Sequence, residues 1–319
     1  MVNLPAISGD TWLNSKPLSH HDLLGKVVLV DFWTYTCVNC ARTIPFIRRW
    51  WEKYKDTGLV IIGIHSPEFE FEKKLDNVKQ AVRDLGVTWP VVLDNDFTNW
   101  NNFANRYWPA KYLADRDGHI VYQHFGEGSY KETEKKIIEL LGEVEGESTK
   151  EDLEIEEHQH GSFCFPATPE TYIGYGRGRL TSGQDYAQDT EHSYEAPEEI
   201  DNDTIALSGK FIANKQYVQS VGEDNQLLLN FKATEVNLVL HPTNGSSRIE
   251  LTLDDEPLPK KFRGETVDEH SQLMVSKPAM YNLIRASELV RGTLGIRALS
   301  GNFQAYAFTF SGCTDHRGS

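Results

Sequence analysis

The chain has 319 residues, 39% hydrophobic and 25% charged, with a formal net charge of −15 and a pI of about 5.2. That length predicts two domains rather than one, and the composition is that of an ordinary soluble globular protein. The acidic balance excludes the basic face that a nucleic-acid binder needs, and no apolar run approaches the roughly 20 residues of a transmembrane helix.

The opening MVNLPAISGD has neither the basic start nor the apolar core of a signal peptide. The chain is therefore expected to be cytosolic, or a mature piece of something exported. KVVLVDFW (26–33) is a near-continuous apolar run, as expected of a central strand buried on both faces. CARTIPFIRRWWEKYKDTG (40–58) has helical spacing and stops at Gly58. LVIIGIHS (59–66) reads as a second buried strand, EFEKKLDNVKQAVRDLG (70–86) as an amphipathic helix, WPVVLDND (89–96) as a strand and NWNNFANRYW (99–108) as a short helix. AKYLADRDGHIVYQHFGEG (110–128) reads as a hairpin turning at DRDG, and YKETEKKIIELLGE (130–143) as a last helix. Strands alternating with helices predict an α/β layer with a mixed sheet.

EVEGESTKEDLEIEE (143–157) is almost uniformly acidic and reads as a solvated linker. Beyond it the helical periodicity fades. TIALSGKFIA, LLLNFKA, VNLVLHP, RIELTLDD, GTLGIRAL and QAYAFTFSG are short apolar or alternating runs, separated by turn signals such as GEDN and PTNGSS. This texture predicts an all-β jelly-roll sandwich. The expected organisation is an α/β domain over 1–145, an acidic linker over 146–162 and the sandwich over 163–319.

Two of the four cysteines, Cys37 and Cys40, sit close together in DFWTYTCVNC. Half of a zinc site, an accidental pair and a redox dithiol all place cysteines this way. A zinc site normally needs a second ligand pair. Cys164 and Cys313 lie far off, and His65 is the only histidine near a strand end in this half. His158 and His160, beside Cys164, read as solvated. Position favours redox chemistry. Cys37 follows a buried strand and opens a helix, where unpaired backbone N–H groups and the macrodipole favour an anion. Cys40 lies one turn further in, placed to attack a mixed disulfide at Cys37.

VLVDFWTYTCVNCARTIP resembles the active-site strand and helix of thioredoxin-fold proteins. The resemblance implies a proton-handling acid at Asp31, a helix-kinking proline at Pro45, and a cis proline at Pro109 in RYWPAKYLADRDGHIV that packs against the dithiol. LPAISGDTWLNSKPLSHHDLLGKVVLVDFW is similar to the opening of TlpA- and ResA-like proteins. FWTYTCVNC together with TPETYIGYGRG (168–178) resembles the soluble C-terminal part of DipZ-type cytochrome c biogenesis proteins, in which a thioredoxin-like domain precedes a carbohydrate-binding-module-like β-sandwich.

That resemblance implies a thiol–disulfide oxidoreductase with Cys37 attacking and Cys40 resolving, Asp31 handling the proton and Pro109 shaping the substrate groove. It implies a periplasmic or other extracytoplasmic location, protein thiols and disulfides as substrates, and a membrane electron-delivery protein as partner. No metal or organic cofactor is expected, since the dithiol is itself the redox centre. Two rivals are a thiol peroxidase and a binding module. Thr34–Tyr35–Thr36–Cys37 has the spacing of a peroxiredoxin site, but Val30 stands where that pattern has proline and a second cysteine three residues on is atypical. In the binding reading the β-sandwich docks to a glycan or a protein, or forms a homodimer, with Tyr172, Tyr175, Tyr186 and Tyr194 as aromatic candidates. Cys164 and Cys313, near the two ends of the sandwich, are either a second disulfide or two free thiols.

Overall fold

The computed structural model describes residues 2–142 and 164–313. The acidic stretch and His158 and His160 lie outside the described residues. The chain divides into two compact units, Met1–Glu156 and Glu157–Ser319.

The first unit runs β1 (Val2–Asn3), β2 (Trp12–Leu13), α1 (His20–Leu23), β3 (Val27–Trp33), α2 (Val38–Tyr54), β4 (Leu59–His65), α3 (Leu75–Asp84), β5 (Val91–Leu93), α4 (Thr98–Asn102), β6 (Ala110–Ala114), β7 (His119–Phe125) and α5 (Tyr130–Leu141). Its seven strands lie in the order β1-β7-β6-β3-β4-β5-β2. β3, β4 and β5 are parallel; β6 runs antiparallel to β3, and β7 turns back antiparallel to β6 as a hairpin. β3 is central and every one of its residues is buried, which is why its sequence shows no apolar–polar alternation. Val28, Val30 and Phe32 pack on one face with Ile62, Ile64, Ala110 and Tyr112. Asp31 and Trp33 alternate to the other face. Helix α5 stacks Tyr130 on Phe46 of α2, and Glu134 of α5 takes Arg49, Lys53 and Tyr54 of α2.

Among the boundaries that differ from the sequence reading, two move because a buried acid bonds backbone and one because a cysteine caps a helix. The expected helix over 70–86 is a 3₁₀ turn (Glu70–Lys73) followed by α3. Glu72 is fully buried, and its Oε2 accepts the N–H groups of Glu68 (2.6 Å) and Phe69 (2.9 Å), folding the segment back before α3 begins. The strand expected over 89–96 is only β5, because Asp94 turns to accept the N–H groups of Asn99 (2.8 Å) and Trp100 (3.0 Å) and so starts α4. Helix α2 begins at Val38 because Cys37 caps it. No described helix is long and apolar enough to cross a membrane.

The second unit is all β: β8 (Thr171–Tyr172), β9 (Glu191–Tyr194), β10 (Ile205–Ala213), β11 (Val218–Ser220), β12 (Gln226–Pro242), β13 (Ser247–Leu253), β14 (Glu256–Pro257), β15 (Gln272–Val275), β16 (Ala279–Ser300) and β17 (Phe303–Ser311). The ten strands are antiparallel in the order β14-β13-β16-β12-β10-β11-β17-β8, with β15 on β13 and β9 on β10. β12 joins LLLNFKA and VNLVLHP into one strand that pairs β10 with its first part and β17 with its second. The handover occurs at register shifts between Ala233 and Asn237. Thr234 there donates its hydroxyl to the carbonyls of Ser311 and Cys313. Because β12 also pairs β17, the strands β12, β10, β11 and β17 close a ring around one apolar core that includes Leu207, Phe211, Leu229, Leu238, Phe303 and Phe308.

Candidate active site

The site grows from the end of β3. The backbone leaves the strand through Thr34, Tyr35 and Thr36, all buried, and enters α2 at Cys37. Cys37 is the N-cap: its backbone is extended (φ −80°, ψ 117°) and its Sγ accepts the N–H of Cys40 at 3.3 Å. The cysteine sulfur thus takes the place of the oxygen that usually satisfies a free N–H at a helix start. Cys37 is half-buried and Cys40 is 1% exposed; both are unbonded. Burial pushes the Cys40 thiol well up, the neighbouring Cys37 and the Asp31 charge add to this, and a backbone bond from Thr34 opposes it.

The approach loop is held from below. Thr36 donates its hydroxyl to Glu72 Oε1 at 2.6 Å, and the Thr36 N–H reaches the same oxygen at 3.3 Å. Burial raises the Glu72 carboxyl, and its hydrogen bonds oppose the rise. Thr34 Oγ1 lies 3.4 Å from His65 Nε2, and the fully buried His65 ring stacks on Tyr35 at 5.7 Å between centroids. Burial depresses His65 to about 3, so the ring is neutral at physiological pH. Among the described residues, the acid and histidine side chains close enough to share a metal are Asp115, Asp117 and His119 at the β6–β7 turn, and that group includes neither Cys37 nor Cys40.

Behind the cysteines, Asp31 is 2% exposed, and burial raises its carboxyl to about 7 against the opposing charge of Lys111. Lys111 was not singled out from the sequence. It pairs in register with Asp31 across β3 and β6, and it is fully buried. In WPAKYL a lysine between apolar residues reads as the solvent side of a strand. The missed signal was topological: β6 lies between β3 and β7, and all five of its residues are buried.

Pro109 is buried and follows Trp108 through a cis peptide bond. It leads into β6, whose first residue, Ala110, pairs with Phe32, so Pro109 and the Cys37 loop share one end of the sheet. The Pro109 carbonyl accepts the Gly126 N–H at 2.8 Å, and Trp108 Nε1 donates to the Ser66 carbonyl at 3.0 Å.

In the second unit, Cys164 and Cys313 are joined by a disulfide. The four candidate tyrosines are engaged in the fold. Tyr194 is buried and its hydroxyl accepts the Ala187 N–H; Tyr186 donates to the Ile173 carbonyl at 2.6 Å. Tyr175 donates to Asp189 at 2.8 Å, and the Arg177 guanidinium stacks 3.6 Å over the Tyr172 ring.

Residues 3–123 match the AhpC/TSA family, and residues 168–311 match a family described as a thioredoxin like C-terminal domain. The chain is 33% identical to Protein DipZ of Mycobacterium tuberculosis over 317 residues, covering 96% of this chain and 42% of that protein. It thus spans less than half the length of that relative. It is 31% identical over 130 residues to the thiol-disulfide oxidoreductase ResA of Bacillus thuringiensis, covering 40% of this chain and 72% of ResA. It is 28% identical over 144 residues to the thiol-disulfide oxidoreductase YkuV of Bacillus subtilis, covering 44% of this chain and 96% of YkuV.

Proposed function

We propose, for a chain that belongs to the thioredoxin-like thiol-disulfide oxidoreductases, that Cys37 is the attacking thiolate and Cys40 the resolving thiol of an exchange with protein substrates. The observation that carries the reading is the asymmetry of the pair: Cys37 is half-exposed at the helix cap, and Cys40 is buried one turn behind it, near Asp31.

In the reducing direction the Cys37 thiolate attacks a substrate disulfide, forms a mixed disulfide and expels one substrate thiolate. Cys40 then gives its proton to the Asp31 carboxylate. The Cys40 thiolate attacks Cys37 Sγ, and the second substrate thiolate leaves. Two electrons pass to the substrate and the pair ends as a disulfide. The oxidising direction is the reverse. Asp31 suits the proton step because a carboxyl raised to about 7 exchanges protons near neutral pH.

An extracytoplasmic setting is supported by the Cys164–Cys313 disulfide, since such bonds persist in oxidising compartments. As electron source we propose a membrane-embedded delivery module, of the kind the DipZ-type resemblance implies. For the second unit we propose contact with protein rather than glycan, because the hydroxyls of Tyr186 and Tyr194 are committed within the fold.

The test is trapping. Cys40→Ser should accumulate a mixed disulfide with a disulfide substrate such as insulin, and Cys37→Ser should form none. Trapping through Cys40 in the Cys37→Ser protein would reverse the assignment.

A further inference from the structure

The mechanism above leaves one buried charged residue beside the dithiol without a role. Lys111 is 0% exposed, and its Nζ has no hydrogen-bond partner among the described residues; neither has Asp31 Oδ1. A buried ammonium without a fixed acceptor is costly. Its placement is specific. Directly opposed residues of an antiparallel pair share a face, so Lys111 stands beside Asp31, whose charge is felt at Cys40. Its neighbours Ala110, Tyr112 and Ala114 pack into the core on the opposite face.

We propose that Lys111 is the counter-charge of the buried dithiol: a positioning residue whose ammonium balances the Asp31 carboxylate before resolution and the Cys40 thiolate during it. The inference rests on the exchange proposed above. Its physical content is a charge count. Before the step the site holds an ammonium, a carboxylate and a thiol. After Cys40 has passed its proton to Asp31 it holds an ammonium, a carboxylic acid and a thiolate. The net buried charge is zero in both states, so the proton moves without exposing an uncompensated anion to a low-dielectric interior.

The surroundings agree. Burial lowers Lys111, and the charges of Asp31, Cys40, Glu127 and Cys37, in that order, act to keep it protonated. On its other side Lys111 pairs in register with His124 of β7, whose Nε2 lies 3.2 Å from the Glu127 carbonyl and which burial pushes down. The Glu127 carboxylate is engaged by Arg42 of α2 at 3.5 Å. Once Cys37 is bonded to substrate in the mixed disulfide it carries no charge, and Asp31 and Cys40 are the anions left for Lys111 to balance.

Ellman's reagent separates the two steps in the full-length reduced protein. The first thionitrobenzoate is released by Cys37 attack, and the second by Cys40 resolving the mixed disulfide. Measured against pH, the second release in Lys111→Met should shift its midpoint up by about one unit, slowing it roughly tenfold at pH 7. The first release should change less. Lys111→Gln should behave like Lys111→Met if the latter fails to fold, Lys111→Arg should recover most of the rate, and His124→Gln should match wild type. A folded Lys111→Met or Lys111→Gln protein with the wild-type midpoint, whatever its stability, would overturn the proposal. Absence of any second release in the wild type would instead count against the exchange reading itself.

Discussion

The two units spend their interiors differently. Among the described residues, every buried carboxylate, ammonium or imidazole side chain lies in the first unit: Asp31, His65, Glu72, Asp94 and Lys111. The buried polar side chains of the second unit are all serine, threonine or asparagine, apart from tyrosine hydroxyls. The cysteines divide the same way. Cys37 and Cys40 are three residues apart and unbonded, whereas Cys164 and Cys313 are 149 apart and bonded. Burying an ion costs several kcal/mol even when it is paired. A fold built only for stability avoids that cost, as the second unit does. The first unit carries it, with Asp31 and Lys111 beside one dithiol, which is where a reaction that moves a proton and a charge has use for it.

The sharpest way to test that comparison is to remove a buried charge and ask whether stability rises. All seven tryptophans lie between Trp12 and Trp108, so indole fluorescence reports the first unit alone. Asp31 is raised from its ordinary 3.8 to about 7 by burial. A raised acid binds its proton more tightly in the folded state, so wild-type stability should be lost as pH rises from about 4 through about 7. Asp31→Asn should lack this slope. The shift of roughly three units corresponds to at most about 4 kcal/mol of extra stability for the variant above pH 7, and to none below pH 4. Urea unfolding at pH 4 and pH 8 checks it, and parallel pH dependences in the two proteins would refute a strained Asp31.

The second unit should show the opposite response. Replacing Cys164 and Cys313 by serine frees a closure of 149 residues and should cost about 3 kcal/mol. Unfolding followed by far-ultraviolet circular dichroism should show the loss, with the indole transition moving less. A larger shift in the indole signal would erase the proposed division of labour.

Within the first unit, buried charges need not all behave alike. Glu72 differs from Asp31 because its carboxylate is satisfied: it accepts from Thr36 Oγ1 and from the N–H groups of Thr36, Glu68 and Phe69. Glu72→Ala leaves these donors unpaired in the interior and should destabilise the unit by about 2–3 kcal/mol. Since Thr36 immediately precedes Cys37, alkylation of Cys37 should also lose its preference over Cys40 in peptide mapping. A variant as stable as wild type, with its labelling order intact, would mean that the loop is held by something else.

What could be read in advance follows from the same physics. The apolar run over β3 and the CVNC pair mark the dithiol locally, because strand burial and helix entry are written within ten residues. The Pro109 segment and the order of the first-unit elements were also readable from pattern and resemblance. Lys111 was not, because its burial depends on β6 being flanked by β3 and β7, a pairing between distant segments. Glu72 escaped for a related reason: inside EFEKKLDNVKQ it passes for a solvated helix residue, and only contact with Thr36, 36 positions away, makes it internal. In the second unit the strand texture was plain. The first half of β16, MYNLIRASELV, was not recognised, because Asn282, Arg285 and Glu288 interrupt the apolar alternation that marks a strand.

The smallest expected effect concerns hydroxyls of the second unit, and it tests whether its aromatics serve packing. Tyr186 is packed against the core and donates to the Ile173 carbonyl at 2.6 Å. That carbonyl belongs to the residue after β8, and Ile173 is itself fully buried. Tyr186→Phe keeps the ring and removes the donor, leaving the acceptor unpaired at a cost of about 1 kcal/mol. The Tyr175 ring is partly buried, but its hydroxyl makes a comparable bond to Asp189 in a solvent-exposed place, where water replaces a lost partner. Tyr175→Phe should therefore leave the unfolding midpoint unchanged. If the fold alone explains these residues, titration with soluble oligosaccharides should perturb neither variant nor the wild type. A sugar-dependent rise in the midpoint of the wild type that Tyr175→Phe abolishes would show that this partly buried tyrosine serves a ligand, and the second unit would then carry a binding site of its own.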